Sequence, residues 1–187
     1  MDADGRKAFV ENRVEMRQKT IFSSEPEKVY RYTLWREWQQ LGQRQNQFVM
    51  FVGLNPSIAD EKRDDPTVRR CIEFAKSWGY GALCMTNLFA FRATDPKVMR
   101  QQKNPVGNDN LFHLIECGSQ AEIVIAAWGM AGIFWSQNTY VQNVFVENRI
   151  RLFHLGLTKR GHPRHPLYLK AKVKPKLYEP KKDGHIE

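Results

Sequence analysis

Apolar and polar positions along this chain fall into short blocks that switch between two rhythms. Residues 48–54 form an apolar run that stops at Asn55-Pro56, the pattern of a strand covered on both faces and leading into a turn. Asp65-Pro66 then supplies an N-cap and a proline for the first helical position. Val68, Cys71, Ile72, Ala75 and Trp78 recur at helical spacing up to Gly79, which predicts a helix over 66–78. Residues 82–87 and 122–128 read as two more buried strands and 150–155 as a fourth. Residues 108–118, with Leu111, Leu114 and Ile115 on one face, and 131–148 read as helices. Upstream, residues 30–34 have the look of an edge strand or hairpin ahead of a polar loop over 39–47. Strands alternating with helices predict an α/β fold, a three-layer α/β/α sandwich around a mainly parallel four-stranded sheet. We expect one domain over 20–170, a helical arm over 1–19 and a basic tail over 171–187.

Length and composition narrow the class. The chain has 187 residues, 42% of them hydrophobic, enough for one substantial core, and no stretch approaches the roughly 20 apolar residues of a membrane span. Residues 1–15 mix acids and bases without the apolar segment of a signal peptide, so a cytoplasmic protein is expected. Cys71, Cys84 and Cys117 form no C-x-x-C pair, which argues against a zinc ribbon, an iron–sulfur cluster or a disulfide framework. The net charge of +9 is concentrated. Between Thr158 and Lys182 the bases Lys159, Arg160, Arg164, Lys170, Lys172, Lys174, Lys176, Lys181 and Lys182 face one acid, Glu179. Such a tract suits a polyphosphate partner such as nucleic acid, or serves as a solvated tail.

In an open α/β sheet the ligand sits beyond the carboxyl ends of the strands. The residues there are Asn55, Asn87, Trp128-Gly129 and the loop over 156–168. Gly53-Leu54-Asn55-Pro56-Ser57 places a carboxamide at the first strand's mouth, where it can orient a water and offer its NH₂ to a substrate oxygen; equally, Asn-Pro is a common turn. Asp64, Asp65 and Thr67 suit a substrate group or a metal, although capping a helix accounts for Asp65 without function. His154, His162 and His165 have no cysteine or acid nearby in sequence to complete a zinc site. Ser57 and His165 lack the Gly-x-Ser-x-Gly elbow of a nucleophile pair.

In three places, and in their order, the chain resembles the uracil-DNA glycosylase superfamily: Gly53-x-Asn55-Pro56, Thr86-Asn87 ahead of Arg92 and Asp95-Pro96, and His162-Pro163 or His165-Pro166. Over residues 22–170 it looks most like a bacterial and phage family catalogued as a domain of unknown function. That likeness rests on Asn55-Pro56-Ser57, Asp65-Pro66-Thr67, Asn87-Leu88-Phe89 and the run from Gly161 to Leu167. The glycosylase resemblance implies that Asn55 positions a hydrolytic water and Asn87 reads the amide edge of a flipped pyrimidine. It further implies that His162 or His165 stabilises the departing base. Phe89, Phe91 or Trp128 would stack on that base. Lys159, Arg160, Arg164 and Lys170 would hold the DNA backbone, with Gly53, Pro56, Ser57, Asp65, Thr67 and Arg92 completing the pocket. No metal or cofactor is expected. The first motif carries asparagine where the superfamily's fastest members have aspartate. Two other classes compete: a non-catalytic module that recognises an unusual base, and a hydrolase or transferase of free nucleotides.

Overall fold

A computed structural model describes residues 20–23, 28–38, 44–60 and 62–179; the expected arm over 1–19 and the end of the tail lie outside them. The described strands are β1 (Ile21–Phe22), β2 (Arg31–Glu37), β3 (Arg44–Gly53), β4 (Tyr80–Asn87), β5 (Ile123–Ala126), β6 (Leu152–His154) and β7 (Lys176–Leu177). The helices are α1 (Pro66–Ser77), α2 (Pro96–Arg100), α3 (Asn110–Gln120) and α4 (Gln137–Glu147). Short 3-10 segments cover Met130–Ser136 and Pro166–Tyr168.

Among the described residues the sheet has seven strands in the order β1-β2-β4-β3-β5-β6-β7, not the four expected. Strands β4, β3, β5 and β6 run parallel, while β1, β2 and β7 join antiparallel at the two sides. The extra edge strands escape a sequence reading because β1 and β7 are two residues long. Residues 171–179, expected to be tail, instead add β7 to the sheet and bury Tyr178, whose N–H donates to the Leu152 carbonyl at 2.8 Å.

Strand β3 explains the layering. Phe48, Met50 and Val52 feed one core with Leu114, Cys117, Val141 and Phe145 from α3 and α4. Val49 and Phe51 feed the other, with Val68, Cys71, Phe74 and Ala75 from α1. The run looks continuously apolar because both faces are covered. Each large side chain buried this way contributes about 1.5–3 kcal/mol over its exposed state. Helix α1 starts as expected, with the Asp65 carboxylate accepting from the Val68 N–H at 2.8 Å and Pro66 in the first turn. The helix expected over 131–148 breaks in two. Trp135 (φ 53°) and Ser136 (φ 53°) are left-handed, so the 3-10 segment ends there and α4 begins at Gln137.

Because β3 lies between β4 and β5, the chain leaves it in one direction along the sheet and crosses it in the other. Helices α1 and α3 accordingly cover opposite faces. The crevice at this reversal opens at the carboxyl ends of β3 and β5. No described helix is long and apolar enough to cross a membrane.

Candidate functional site

Parallel pairing of β3 with β4 sets Gly53 beside Asn87 at the two strand ends. A Cβ built on Gly53 would lie 2.8 Å from the Asn87 Oδ1, so glycine here is a matter of space: the carboxamide of Asn87 fills the volume. Asn87 is 3% exposed, and its Nδ2 has no hydrogen-bond partner. A buried amide donor without a partner costs roughly 1–3 kcal/mol, and such a group is an invitation to an acceptor. The strand end itself is held by Asn110, the first residue of α3, which is fully buried. Its Nδ2 donates to the carbonyls of Asn87 at 3.0 Å and Leu88 at 3.1 Å.

Asn55 follows two residues after Gly53 and is half-buried. Its Nδ2 donates to the carbonyls of Pro56 at 3.1 Å and Ala93 at 2.8 Å, and the Ala93 N–H returns to the Pro56 carbonyl at 2.9 Å. Both amide hydrogens are therefore committed to the turn, which corrects the expectation that this NH₂ meets a substrate oxygen; Oδ1 is the end left for a water. Next to the turn, Ser57 and Ala93 line an open cavity of about 380 Å³ together with Phe91, Arg92 and Lys28; Asn55 is not in its lining. Arg92 does not point outward as a free cation. Its Nη1 donates to the Lys28 carbonyl at 3.2 Å, its guanidinium lies over the Phe22 ring at 5.0 Å, and its Nε is buried without a partner.

A second cluster forms at the start of α1. Asp65 is buried, and its charge acts on Arg31, His165 and Cys71. Burial lowers the Arg31 guanidinium to about 10, with Asp65 opposing the drop. Arg31 is 2% exposed, its Nη1 donates to the Ala59 carbonyl at 2.7 Å, and its Nε lacks a partner. Burial likewise lowers His165, again opposed by Asp65. His165 caps the Pro166–Tyr168 turn, its Nδ1 accepting from the Leu167 N–H at 3.4 Å. The neutral ring then carries its proton on Nε2. Arg70 of α1 ties the turn down through the Leu169 carbonyl at 2.6 Å. Thr67 is half-buried in the first turn of the same helix.

His162 sits apart from this cluster, in a reverse turn. The Thr158 N–H donates to the His162 carbonyl at 2.9 Å, and Leu157 bridges to Pro163. Lys159 and Arg160 form the exposed tip, Gly161 takes φ +80° to close it, and the Tyr178 hydroxyl donates to the Gly161 carbonyl at 3.3 Å. Arg164 and Lys170 are exposed on the way out. His154, His162 and His165 are not gathered into a metal-binding trio among the described residues.

The stacking expected of Phe89 and Trp128 does not fit their surroundings. Phe89 is fully buried and Trp128 is 2% exposed, both in the core on the α3 and α4 face. Phe89 packs on Phe134 and Trp128 on Tyr178. The exposed aromatic of the 3-10 segment that follows β5 is Trp135, and no periodicity in the sequence marked it. Arg31 and Asn110 were also missed. Asn110 shares a helical face with Leu114 and Cys117, and an asparagine in line with buried positions was the available signal.

Comparison with curated proteins and with solved structures gives no match. Residues 31–167 match a family described as "Protein of unknown function (DUF1643)", a span that holds Gly53, Asn55, Asn87, Asp65 and both candidate histidines. This chain belongs to the DUF1643 family.

Proposed function

We propose that the protein acts on DNA and hydrolyses the N-glycosidic bond of a flipped uracil-like or modified base, on a fold akin to that of the uracil-DNA glycosylase superfamily. The observation that carries this reading is the unpartnered, buried Nδ2 of Asn87 beside Gly53 at the mouth of two parallel strands. An amide donor fixed in a dry wall suits a carbonyl of a pyrimidine inserted edge-on. Asn55 presents Oδ1 to a water because its NH₂ is spent on Ala93 and Pro56. The water adds its oxygen to the anomeric carbon as the C–N bond breaks, the electron pair leaves with the base as an anion, and the proton the water sheds passes to that anion or to bulk water. His165 donates from Nε2 toward the oxygen of the departing base, whose charge a pre-oriented neutral donor stabilises. The exposed Lys159, Arg160, Arg164 and Lys170 hold phosphates.

One observation favours a second reading, a module that recognises a base without cutting it. The Asn55 amide is a built part of its turn, and no carboxylate stands in the Gly53–Ser57 motif to take a proton from water. Incubation with single- and double-stranded oligonucleotides bearing uracil, mismatched or hypermodified pyrimidines, followed by mass spectrometry of released base, separates the two. Release that disappears in Asn87→Ala and Asn55→Ala, with oligonucleotide affinity within a few-fold of wild type, is the expected result. Retained affinity without release on any substrate selects the recognition module.

A further inference from the structure

The segment that follows β5 does not belong to the pocket described above, and its conformation is costly. Trp135 (φ 53°, ψ 22°) and Ser136 (φ 53°, ψ 24°) are successive left-handed residues that are not glycine, a state disfavoured by roughly 1–2 kcal/mol per residue. Strain of this kind persists only where the surroundings enforce it, and it gathers at working surfaces. Here the enforcement is visible. Gly132 packs so closely on the Trp128 indole that no side chain fits, and Phe134 tilts against buried Phe89 at 5.6 Å. The loop is thereby nailed to the core while its tip is pushed outward.

At the tip, Met130, Ile133 and Trp135 are 49%, 54% and 56% exposed. Trp135 stacks on Phe134 at 5.2 Å and 20°, so the exposed remainder of the indole includes its opposite face. The Arg100 guanidinium lies over the Phe134 ring at 5.4 Å, and a cavity of about 400 Å³ opens between Arg100, Met130, Ala131, Ile133 and Phe134. A rigidly held, outward-facing indole stacked on Phe134, with the Arg100 cation over the Phe134 ring and exposed Met130 and Ile133 in the same segment, is the chemistry of base stacking with phosphate contact. The segment begins at the carboxyl end of β5, on the crevice where the sheet reverses.

We propose that Trp135, with Phe134 and Arg100 behind it, is a stacking platform for an unpaired nucleobase flanking the base that Asn87 reads. The occupant is a base of a DNA strand, in keeping with the strand's need for a cation beside the ring and with the basic hairpin tip at Lys159 and Arg160. This rests on the reading of the protein as DNA-directed, and the test separates the two. Affinity at low salt is measured for a short oligothymidylate and for an abasic sugar-phosphate strand of equal length, with wild type, Trp135→Ala, Trp135→Phe and Arg100→Gln. Circular dichroism of each variant establishes folding. Wild type is expected to prefer the base-bearing strand. Trp135→Ala should lose that preference by about tenfold, the scale of one base–aromatic stack, and bind the abasic strand unchanged. Trp135→Phe should keep most of the preference, and Arg100→Gln should weaken binding to both strands. The inference is overturned if Trp135→Ala binds both strands as wild type does, or if its effect is confined to concentration-dependent self-association, which would make the patch a protein contact. If wild type binds neither strand, the DNA reading itself fails along with it.

Discussion

The contact between Gly53 and Asn87 permits a sharp test by substitution. Adding a methyl group at Gly53 would bring a carbon to 2.8 Å from the Asn87 Oδ1, where ordinary contact begins at 3.4 Å. The carboxamide must retreat by several tenths of an ångström. It is 3% exposed, so the retreat is into packed surroundings. Overpacking of this kind costs about 1–3 kcal/mol. Asn87→Ala, by contrast, breaks no hydrogen bond through Nδ2. Relief of an unpaired buried donor, roughly 1–3 kcal/mol, offsets the cavity left behind, and the variant should stay within about 1 kcal/mol of wild type. In that background the obstacle is gone, so Gly53→Ala should cost less than about 0.5 kcal/mol, a coupling of about 1–2 kcal/mol between the sites. Urea unfolding of the four proteins, followed by far-UV circular dichroism, reads the cycle; in thermal melts each kcal/mol corresponds to about 2–4 °C for a domain of this size. Equal penalties for Gly53→Ala in both backgrounds would refute the steric account. Loss of base release in Asn87→Ala without loss of stability or of oligonucleotide affinity would then separate function from folding at this position.

Other consequences are equally measurable. Burial lowers His165 relative to the unfolded chain, so the unfolded state binds the proton more readily. The stability this group contributes is complete above the unfolded value near 6.5 and falls as pH drops through it toward the lower folded value. His165→Gln should flatten the decline in melting temperature between about pH 7.5 and about pH 5.5, leaving the share due to His113 and His154, which burial also lowers; an unchanged slope counts against it. Asp65→Ala should cost about 1–2 kcal/mol through the lost cap on Val68, and Asp65→Ser should recover most of that; equal losses in urea melts would point to the charge instead. Replacing Lys159, Arg160 and Arg164 together by alanine should reduce the slope of log affinity against log salt for single strands by about two units, and an unaltered slope would remove the hairpin from the interface. Asn110→Leu strips its hydrogen bonds from the Asn87 and Leu88 carbonyls and should destabilise by about 1–3 kcal/mol, seen as a lower urea midpoint.

What could be read from the sequence was whatever a short window dictates. The Asp65-Pro66 start of α1 is set by a side chain three residues from its partner, and β3 and β4 declare themselves through apolar runs covered on both faces. Their ends followed, and with them Asn55 and Asn87. What escaped depends on partners distant in the chain. Strand β7 is a basic dipeptide recruited by β6, and Trp135 follows an apolar run that looks helical until the backbone turns left-handed. Phe89 and Trp128 resemble exposed aromatics at strand ends only while the α3 and α4 layer is out of view. Asn55 was correctly located at its strand end, yet the direction of its amide depended on the Ala93 carbonyl 38 residues away.

Tyr178 fixes the point in the chain at which the β6 side of the sheet can close. Its ring meets Trp128 and His154, its N–H closes on Leu152, and its hydroxyl reaches Gly161. A nascent chain emerging from the ribosome therefore has β3 and its asparagine early but cannot lock the far side of the sheet until translation has passed this tyrosine. Contacts that await later segments form more slowly than local ones. A chain cut short before β7 leaves Trp128 and His154 without the cover of Tyr178 and should be cleared by proteolysis rather than accumulate.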